Sequence, residues 1–483
     1  MCLLNDARHR HIEGVSHLLL VHLTAPTTLL EHLAGLGGGG QLSVVRDADP
    51  LSADDGVMTR RDFISACLAA GASVGAAAGA GAFPAAALTG HTATGSTPFP
   101  WRRFGDLLRT RFRNLRRHFV FDYYPWYAAD PFRHWTQWDR VPPIDLAANT
   151  MPLLGAYDSR SRAVVEQHAR WIAESGVGVI NMSWWGQGSF SDRAVPLVMD
   201  VMADHDIHVT FHLEPYSQDR VTRFPHDVRY LLQQYGERRR WDCFFFNERG
   251  DGSQGPVFKV FNTALPRQVE DCHGVLQDIA GYVPDAEWHR EADRLRQTLA
   301  GDFDHLTLLS GSPAAERTAA AGLDGFSAYS PAEAPNSWLD RALVASRLGM
   351  LFAFAVNPGQ DEIERRVVEQ GSCYTPRPFL PLAPDLDWSR TTDRERARAL
   401  AEQRTEETLQ LNLLLQTHPW LGNAGKGFFL VHITSFNEWH EGHQYEPMKD
   451  ASALTPAQRA VGYHNPEDGS YRLRHLADLL ARL

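Results

Sequence analysis

Phe428-Phe429-Leu430-Val431-His432-Ile433-Thr434 is a short, almost unbroken apolar run, and Ser435-Phe436-Asn437-Glu438-Trp439-His440-Glu441-Gly442 follows it at once. A run of this length is a strand rather than a helix. Continuous apolarity, in place of alternation, marks a strand buried on both faces, as in a parallel sheet. The same pattern recurs toward the N-terminus. Runs rich in Val, Ile, Phe or Leu occupy residues 118–124, 177–184, 207–213, 257–261, 306–310, 325–329 and 351–356. Stretches with helical spacing lie between them, at 161–175, 195–205, 285–300 and 394–416. Eight strands alternating with helices predict an α/β chain closed into a (β/α)8 barrel, a single catalytic domain over residues 117–483. The span exceeds the roughly 250 residues usual for this fold. The excess is assigned to loops at 238–256 and 371–394.

Barrel active sites lie at the C-terminal ends of the strands, so the residues just after each run are the candidates. Tyr123, Tyr124, Trp126 and Tyr127 follow the first run, and Trp184 and Trp185 end the second. His212, Glu214 and Tyr216 follow the third, Tyr329 ends the sixth, and Asn437, Glu438, Trp439, His440 and Glu441 follow the eighth. Flat rings and acids converging in this way suit a sugar site. Glu438 and Glu441 are the candidate catalytic carboxylates. If their segment turns helically, their Cβ atoms lie about 5–6 Å apart. That leans toward the roughly 5–5.5 Å of retaining glycosidases, against the roughly 6.5–9.5 Å of inverting ones. Two close carboxyls raise each other's cost of ionisation, so one stays protonated as acid while the other serves as base. Against this stands the reading that suits most E-x-x-E pairs, a solvated pair at a helix start. His212 and Glu214 share one face of their strand and are read as hydroxyl ligands. Trp184 has two readings, sugar stacking and core packing. No H-x-x-x-H or H-E-x-x-H spacing is present, so no metal is expected, and no cofactor.

Composition bounds the remainder. A formal net charge of −11 argues against a nonspecific nucleic-acid binder, which needs a basic face. The five cysteines form no C-x-x-C pair. Two of them, Cys2 and Cys67, precede the expected mature chain; whether any of Cys243, Cys272 and Cys373 pair is left open. Thr59-Arg60-Arg61-Asp62-Phe63-Ile64 is a twin-arginine motif, an Ala/Gly-rich stretch follows, and Ala85-Ala86-Ala87 is a small-residue cleavage pattern. Residues 58–87 are therefore read as an export signal, directing the chain to the periplasm or exterior without stable membrane insertion once the signal is removed. Residues 1–57 are read as an upstream extension outside the true start, and 88–116 as a linker and lead-in helix.

Several segments together resemble glycoside hydrolase family 99, the endo-α-mannosidases and endo-α-mannanases. They are Tyr123-Tyr124-Pro125-Trp126-Tyr127, Gly155-Ala156-Tyr157-Asp158-Ser159-Arg160, Ser183-Trp184, Phe211-His212-Leu213-Glu214-Pro215-Tyr216, Gly322-Leu323-Asp324-Gly325-Phe326 and residues 433–442. The resemblance runs from about Asp122 to Leu480. It implies a metal-independent barrel that cleaves within α-mannoside chains with retention. It further implies that Glu438 acts on the sugar 2-hydroxyl, which itself attacks the anomeric carbon to give a 1,2-anhydro sugar. Glu441 would then protonate the leaving oxygen and later activate water. By the same resemblance Trp184, His212, Glu214 and a tyrosine of the first cluster contact sugar, with Tyr329 near the reacting ring. The chain departs from the family at Phe258-Lys259-Val260-Phe261-Asn262, where a Tyr-rich segment is usual, and at His443, where Thr is commoner. The 371–394 loop also looks expanded. The expected substrate is an oligosaccharide or polysaccharide, an α-mannoside. The alternatives are a glycosidase of the same fold acting on another polysaccharide and a non-catalytic carbohydrate-binding barrel. A glycosyltransferase is disfavoured, since no strand end carries a phosphate-cradling glycine loop or D-x-D motif.

Overall fold

All eight apolar runs are strands in the computed structural model, which describes residues 98–329 and 331–483. They are β1 (Phe119–Tyr123), β2 (Val179–Trp184), β3 (His208–Leu213), β4 (Gln254–Val260), β5 (Thr307–Ser310), β6 (Gly325–Ala328), β7 (Leu351–Phe354) and β8 (Val431–Ile433). The expected export signal and the extension before it lie outside the described residues. Neighbouring strands pair in the order β7-β6-β5-β4-β3-β2-β1-β8, every pair parallel. A parallel bridge between Val356 and Ile433 joins the two ends, so the sheet closes on itself.

Each strand is followed by a helix that returns the chain to the bottom of the barrel. These are α1 (Arg162–Glu174), α2 (Phe190–Ala203), α3 (Arg220–Leu231), α4 (Asp285–Thr298), α5 (Ala315–Ala320), α6 (Trp338–Arg347), α7 (Thr391–Thr417) and α8 (Tyr471–Ala481). Ile172 of α1, Val198 and Met202 of α2, Leu409 and Leu413 of α7 and Leu476 of α8 are fully buried against the outer faces of the strands. Each such side chain contributes about 1.5–3 kcal/mol on leaving water. The lead-in helix is present at Trp101–Arg109.

Two boundaries differ from those expected from periodicity. Helix α2 starts at Phe190, not near 195, because the Ser189 hydroxyl accepts the Asp192 N–H at 3.1 Å and caps the turn. The polar first turn hid this start. The loop expected at 238–256 is partly ordered: α3 runs on as a π-helix, Leu232–Arg240, and Phe246–Glu248 pairs antiparallel with β4. Residues 266–282 belong to a second compact unit, in which Gln268–Glu270 and Leu276–Asp278 form a short antiparallel hairpin. Cys243 is a free, buried thiol. Among the described residues no helix is long and apolar enough to cross a membrane.

Candidate active site

The segment after β8 is not a helical turn. It is a closed loop, pinned at its base by Phe436 N–H to Asp122 O at 2.8 Å and Tyr445 N–H to Ser435 O at 2.9 Å. Across the loop the Ser435 N–H donates to His443 O at 3.2 Å. Gly442 is required here: its φ is +74°, and a Cβ would stand 2.1 Å from Asp361 O. The chain after β7 approaches this closely because it clamps the loop, with Asp361 N–H on Glu441 O at 3.1 Å and Ile363 N–H on His440 O at 2.9 Å.

Loop closure brings Glu438 and Glu441 together. The Tyr329 hydroxyl at the end of β6 spans them, in short contact with Glu438 Oε2 and 3.1 Å from Glu441 Oε2. His443 Nε2 lies 3.0 Å from Glu441 Oε2, 3.1 Å from Tyr329 Oη and 3.6 Å from Glu438 Oε2. Ligand atoms of Glu438, Glu441 and His443 all fall within 4.8 Å of one another. The Glu441 side chain is 23% exposed and that of Glu438 6%, so Glu441 is the edge of the pair that meets solvent. Burial and the neighbouring charge of Glu441 hold the Glu438 carboxyl well above its ordinary range. Burial also opposes ionisation of Glu441, but the hydrogen bond and charge of His443, and then the charges of Arg377 and His440, outweigh it and push that carboxyl down. The two carboxyls are thus pushed in opposite directions. The trio has enough donors to chelate a cation, yet its atoms are already turned toward one another by hydrogen bonds. It reads as a hydrogen-bonded acid pair.

The residues expected to bind substrate divide into two groups. Tyr124 stands beside Glu438, and Trp126 beside Tyr124. Trp126 stacks on His440 at 5.5 Å, and its buried indole N–H has no hydrogen-bond partner among the described residues. His440 Nε2 lies 3.7 Å from Glu438 Oε1. Glu214 is buried and takes the Ser183 hydroxyl at 2.8 Å. Burial raises its carboxyl to about 8, against the opposing pull of Ser183, Lys259 and Arg220. His212 is 2% exposed, and neither ring nitrogen has a hydrogen-bond partner among the described residues; its Nδ1 lies 3.6 Å from Glu214 Oε1.

The second group builds the framework. Asn437 accepts the Tyr124 N–H at 2.7 Å and donates to Tyr124 O at 3.0 Å, which locks the β1 and β8 loops together. Trp439 is fully buried and gives its indole N–H to Glu446 Oε2 at 2.9 Å. The Tyr157 hydroxyl and His168 also reach Glu446, at 2.8 and 3.2 Å. Trp184 is fully buried with its N–H on Asp192 at 2.8 Å, so its ring packs in the core. The Tyr216 hydroxyl is held by Asp227. These side chains position the site from behind.

Residues not singled out as candidates form the barrel interior below the pair. Lys259 Nζ lies 3.4 Å from Asp122 Oδ2, both side chains 1% exposed, and 5.4 Å from the centre of the Tyr329 ring. Asp122 also accepts from Asn181 at 2.8 Å and Thr434 at 2.7 Å. Burial would raise Asp122, but Lys259 and His432 hold it well below the carboxylate range. A lysine inside an apolar run was the available signal for this network.

The sequence model of Glycosyl hydrolase family 99 matches residues 117–369. Mouse glycoprotein endo-alpha-1,2-mannosidase is 24% identical over 367 residues, covering 69% of this chain and 69% of its own. The human glycoprotein endo-alpha-1,2-mannosidase-like protein is 25% identical over 381 residues, covering 71% of each. Among solved structures, an endo-alpha-mannosidase of this family from Bacteroides thetaiotaomicron superposes with a TM-score of 0.51 at 22% identity, over 76% of this chain and 96% of that one. That likeness bears on the fold. With the family match covering more than half of the chain, the protein belongs to glycoside hydrolase family 99 and is a glycoside hydrolase built on a (β/α)8 barrel.

Proposed function

We propose that the protein is an exported, retaining endo-α-mannosidase that works through Glu438 and Glu441. The observation that carries this reading is the bridged pair itself, with oxygens of the two carboxyls within 4.8 Å of each other. Oxygens this close favour the tight pairs of retaining enzymes over the roughly 6.5–9.5 Å separations with which inverting ones accommodate an attacking water. In the proposed reaction Glu438 takes the proton of the sugar 2-hydroxyl as that oxygen closes on the anomeric carbon. Glu441 protonates the departing glycosidic oxygen. Water activated by Glu441 then attacks the anomeric carbon from the opposite side and opens the anhydro ring, and Glu438 returns its proton to the 2-oxygen. Two inversions give net retention. Trp126, His212 and Glu214 offer a ring face, a ring N–H and a carboxyl to the sugar; the names of the relatives support a mannoside.

The test is to incubate the purified chain with a panel of α-mannans, mannosyl oligosaccharides and other polysaccharides, and to follow product size and anomeric configuration by NMR. Disaccharides or larger fragments released with retained configuration are expected. Free mannose alone, or inverted products, would refute the reading, and cleavage confined to a non-mannoside would move it to the alternative substrate class. Glu438→Gln and Glu441→Gln should each lower kcat by at least about 10²–10⁴-fold while binding persists. Export is proposed on residues 58–87; a native N-terminus upstream of residue 58 would contradict it.

A further inference from the structure

His443 is fully buried and sits where the two carboxyls and Tyr329 meet, yet the reaction proposed above gives it no task. Its two ring nitrogens face different partners. The Ser435 hydroxyl oxygen accepts the Glu438 backbone N–H at 2.9 Å. The hydroxyl hydrogen is then free to point at His443 Nδ1, 3.0 Å away. Nε2 faces Glu441 Oε2 at 3.0 Å; an ionised carboxylate only accepts, so the N–H that serves it is the one on Nε2. A donor on a carboxylate favours its ionised form.

We propose that His443 is the positioning residue that keeps Glu441 ionised and leaves the pair's single proton on Glu438 in the substrate-free protein. The inference rests on the reading of Glu438 and Glu441 as the reacting pair. With the proton on Glu438, that carboxyl donates to Tyr329 Oη, and the tyrosine hydrogen points at Glu441 Oε2, 3.1 Å away. One proton passed along this line, from Glu438 to Tyr329 and from Tyr329 to Glu441, converts the resting pair into the base and acid that the reaction uses. Tyr329 is neutral before and after, and no proton is drawn from solvent. Besides His443, the groups facing the pair are Tyr329 from the end of β6, Arg377 from the 371–394 loop and His440 from the β8 loop, all acting on Glu441. Tyr124 after β1 and Glu214 after β3 act on Glu438.

The test uses the full chain carrying ¹³C-carboxyl glutamate and follows each resonance by NMR as pH is varied. Glu438 and Glu441 are assigned by the signals lost in Glu438→Gln and Glu441→Gln. His443→Leu removes the donor, and the Glu441 titration should rise by about one to two pH units, the worth of a hydrogen bond to a charged group. His443→Gln places an amide N–H near the position of Nε2 and should return it most of the way. His443→Asn reaches only as far as Nδ1 and should not. If the leucine variant does not fold, the contrast between Gln and Asn decides. A Glu441 titration unmoved in His443→Leu or His443→Asn, or a Gln variant that behaves like Asn, overturns the proposal. Because the readout needs no substrate, failure to cleave mannosides would sink the proposed function and leave this result standing.

Discussion

Replacing Lys259 by Met removes the ammonium group of the Asp122 cluster and leaves a carboxylate buried in the barrel. The nitrogen stands 3.4 Å from Asp122 Oδ2, with both side chains 1% exposed. Two unit charges at that distance attract by about 5 kcal/mol at an effective dielectric of 20. Breaking one partner of a buried pair costs about 3–5 kcal/mol. Asn181 and Thr434 still donate to the stranded carboxylate at 2.8 and 2.7 Å, so the lower end, about 3 kcal/mol, is expected at pH 7. The assay is urea unfolding of wild type, Lys259→Met, Asp122→Asn and the double variant, with the dependence on urea compared to check that the unfolded states match. The double variant should recover at least half of the loss, because an asparagine has no charge left to strand. The pH dependence has a definite sign. Asp122 is depressed in the folded protein, so its contribution is present above the ordinary carboxylate pKa and lost only as pH falls through the lowered value. Lys259→Met raises that value, so the cost of the substitution shrinks as the pH falls and Asp122 of the variant takes up a proton. A loss below about 1 kcal/mol at pH 7, or no recovery in the double variant, would refute the argument that the pair is held together as ions.

Glu214 has its folded pKa raised to about 8 by burial, so its neutral form stabilises the fold fully below the unfolded carboxylate pKa. That contribution is lost as pH rises toward 8; Glu214→Gln should flatten this fall in urea midpoint against pH, and an unchanged slope would contradict the assignment. Trp439→Phe removes the indole N–H held 2.9 Å from Glu446 Oε2 while keeping most of the ring's bulk. It should cost about 1–3 kcal/mol of stability and lower kcat by loosening the loop that carries Glu438; wild-type stability in calorimetry would show that Glu446 does not need the donor.

The strands were legible because each is buried on both faces, and a short, unbroken apolar run suits little besides a strand covered on both sides. Start signals were less legible where polar residues made the first turn, as at Ser189. The continuation of α3 into Leu232–Arg240 was hidden by its Arg-rich end, where Arg239 and Arg240 pair with Asp200 and Arg240 with Asp242. At the site, two glutamates three residues apart announced themselves. Their neighbours Asn437 and Trp439 looked equally available for substrate. Only the loop closure shows that Asn437 is taken by the Tyr124 backbone and Trp439 by Glu446. Trp184 had two readings from sequence, because which face of a barrel strand looks inward depends on the tilt of the whole sheet. His443 stood out only as a departure from a pattern, with nothing to indicate its contact to Glu441.

The order of apolar runs, their length and the acids that follow the last of them are local properties of the chain, and they were enough to determine the barrel, the end at which chemistry occurs and the two carboxyls proposed to carry it. Which carboxyl keeps the proton, and which aromatic residues serve as framework, depended on distances between segments far apart in the chain. Tyr329 is 109 residues from Glu438, and Lys259 is 137 from Asp122. Electrostatic and hydrogen-bonding energies fall off over a few ångströms, so such pairings are settled only when the barrel closes and brings those atoms together.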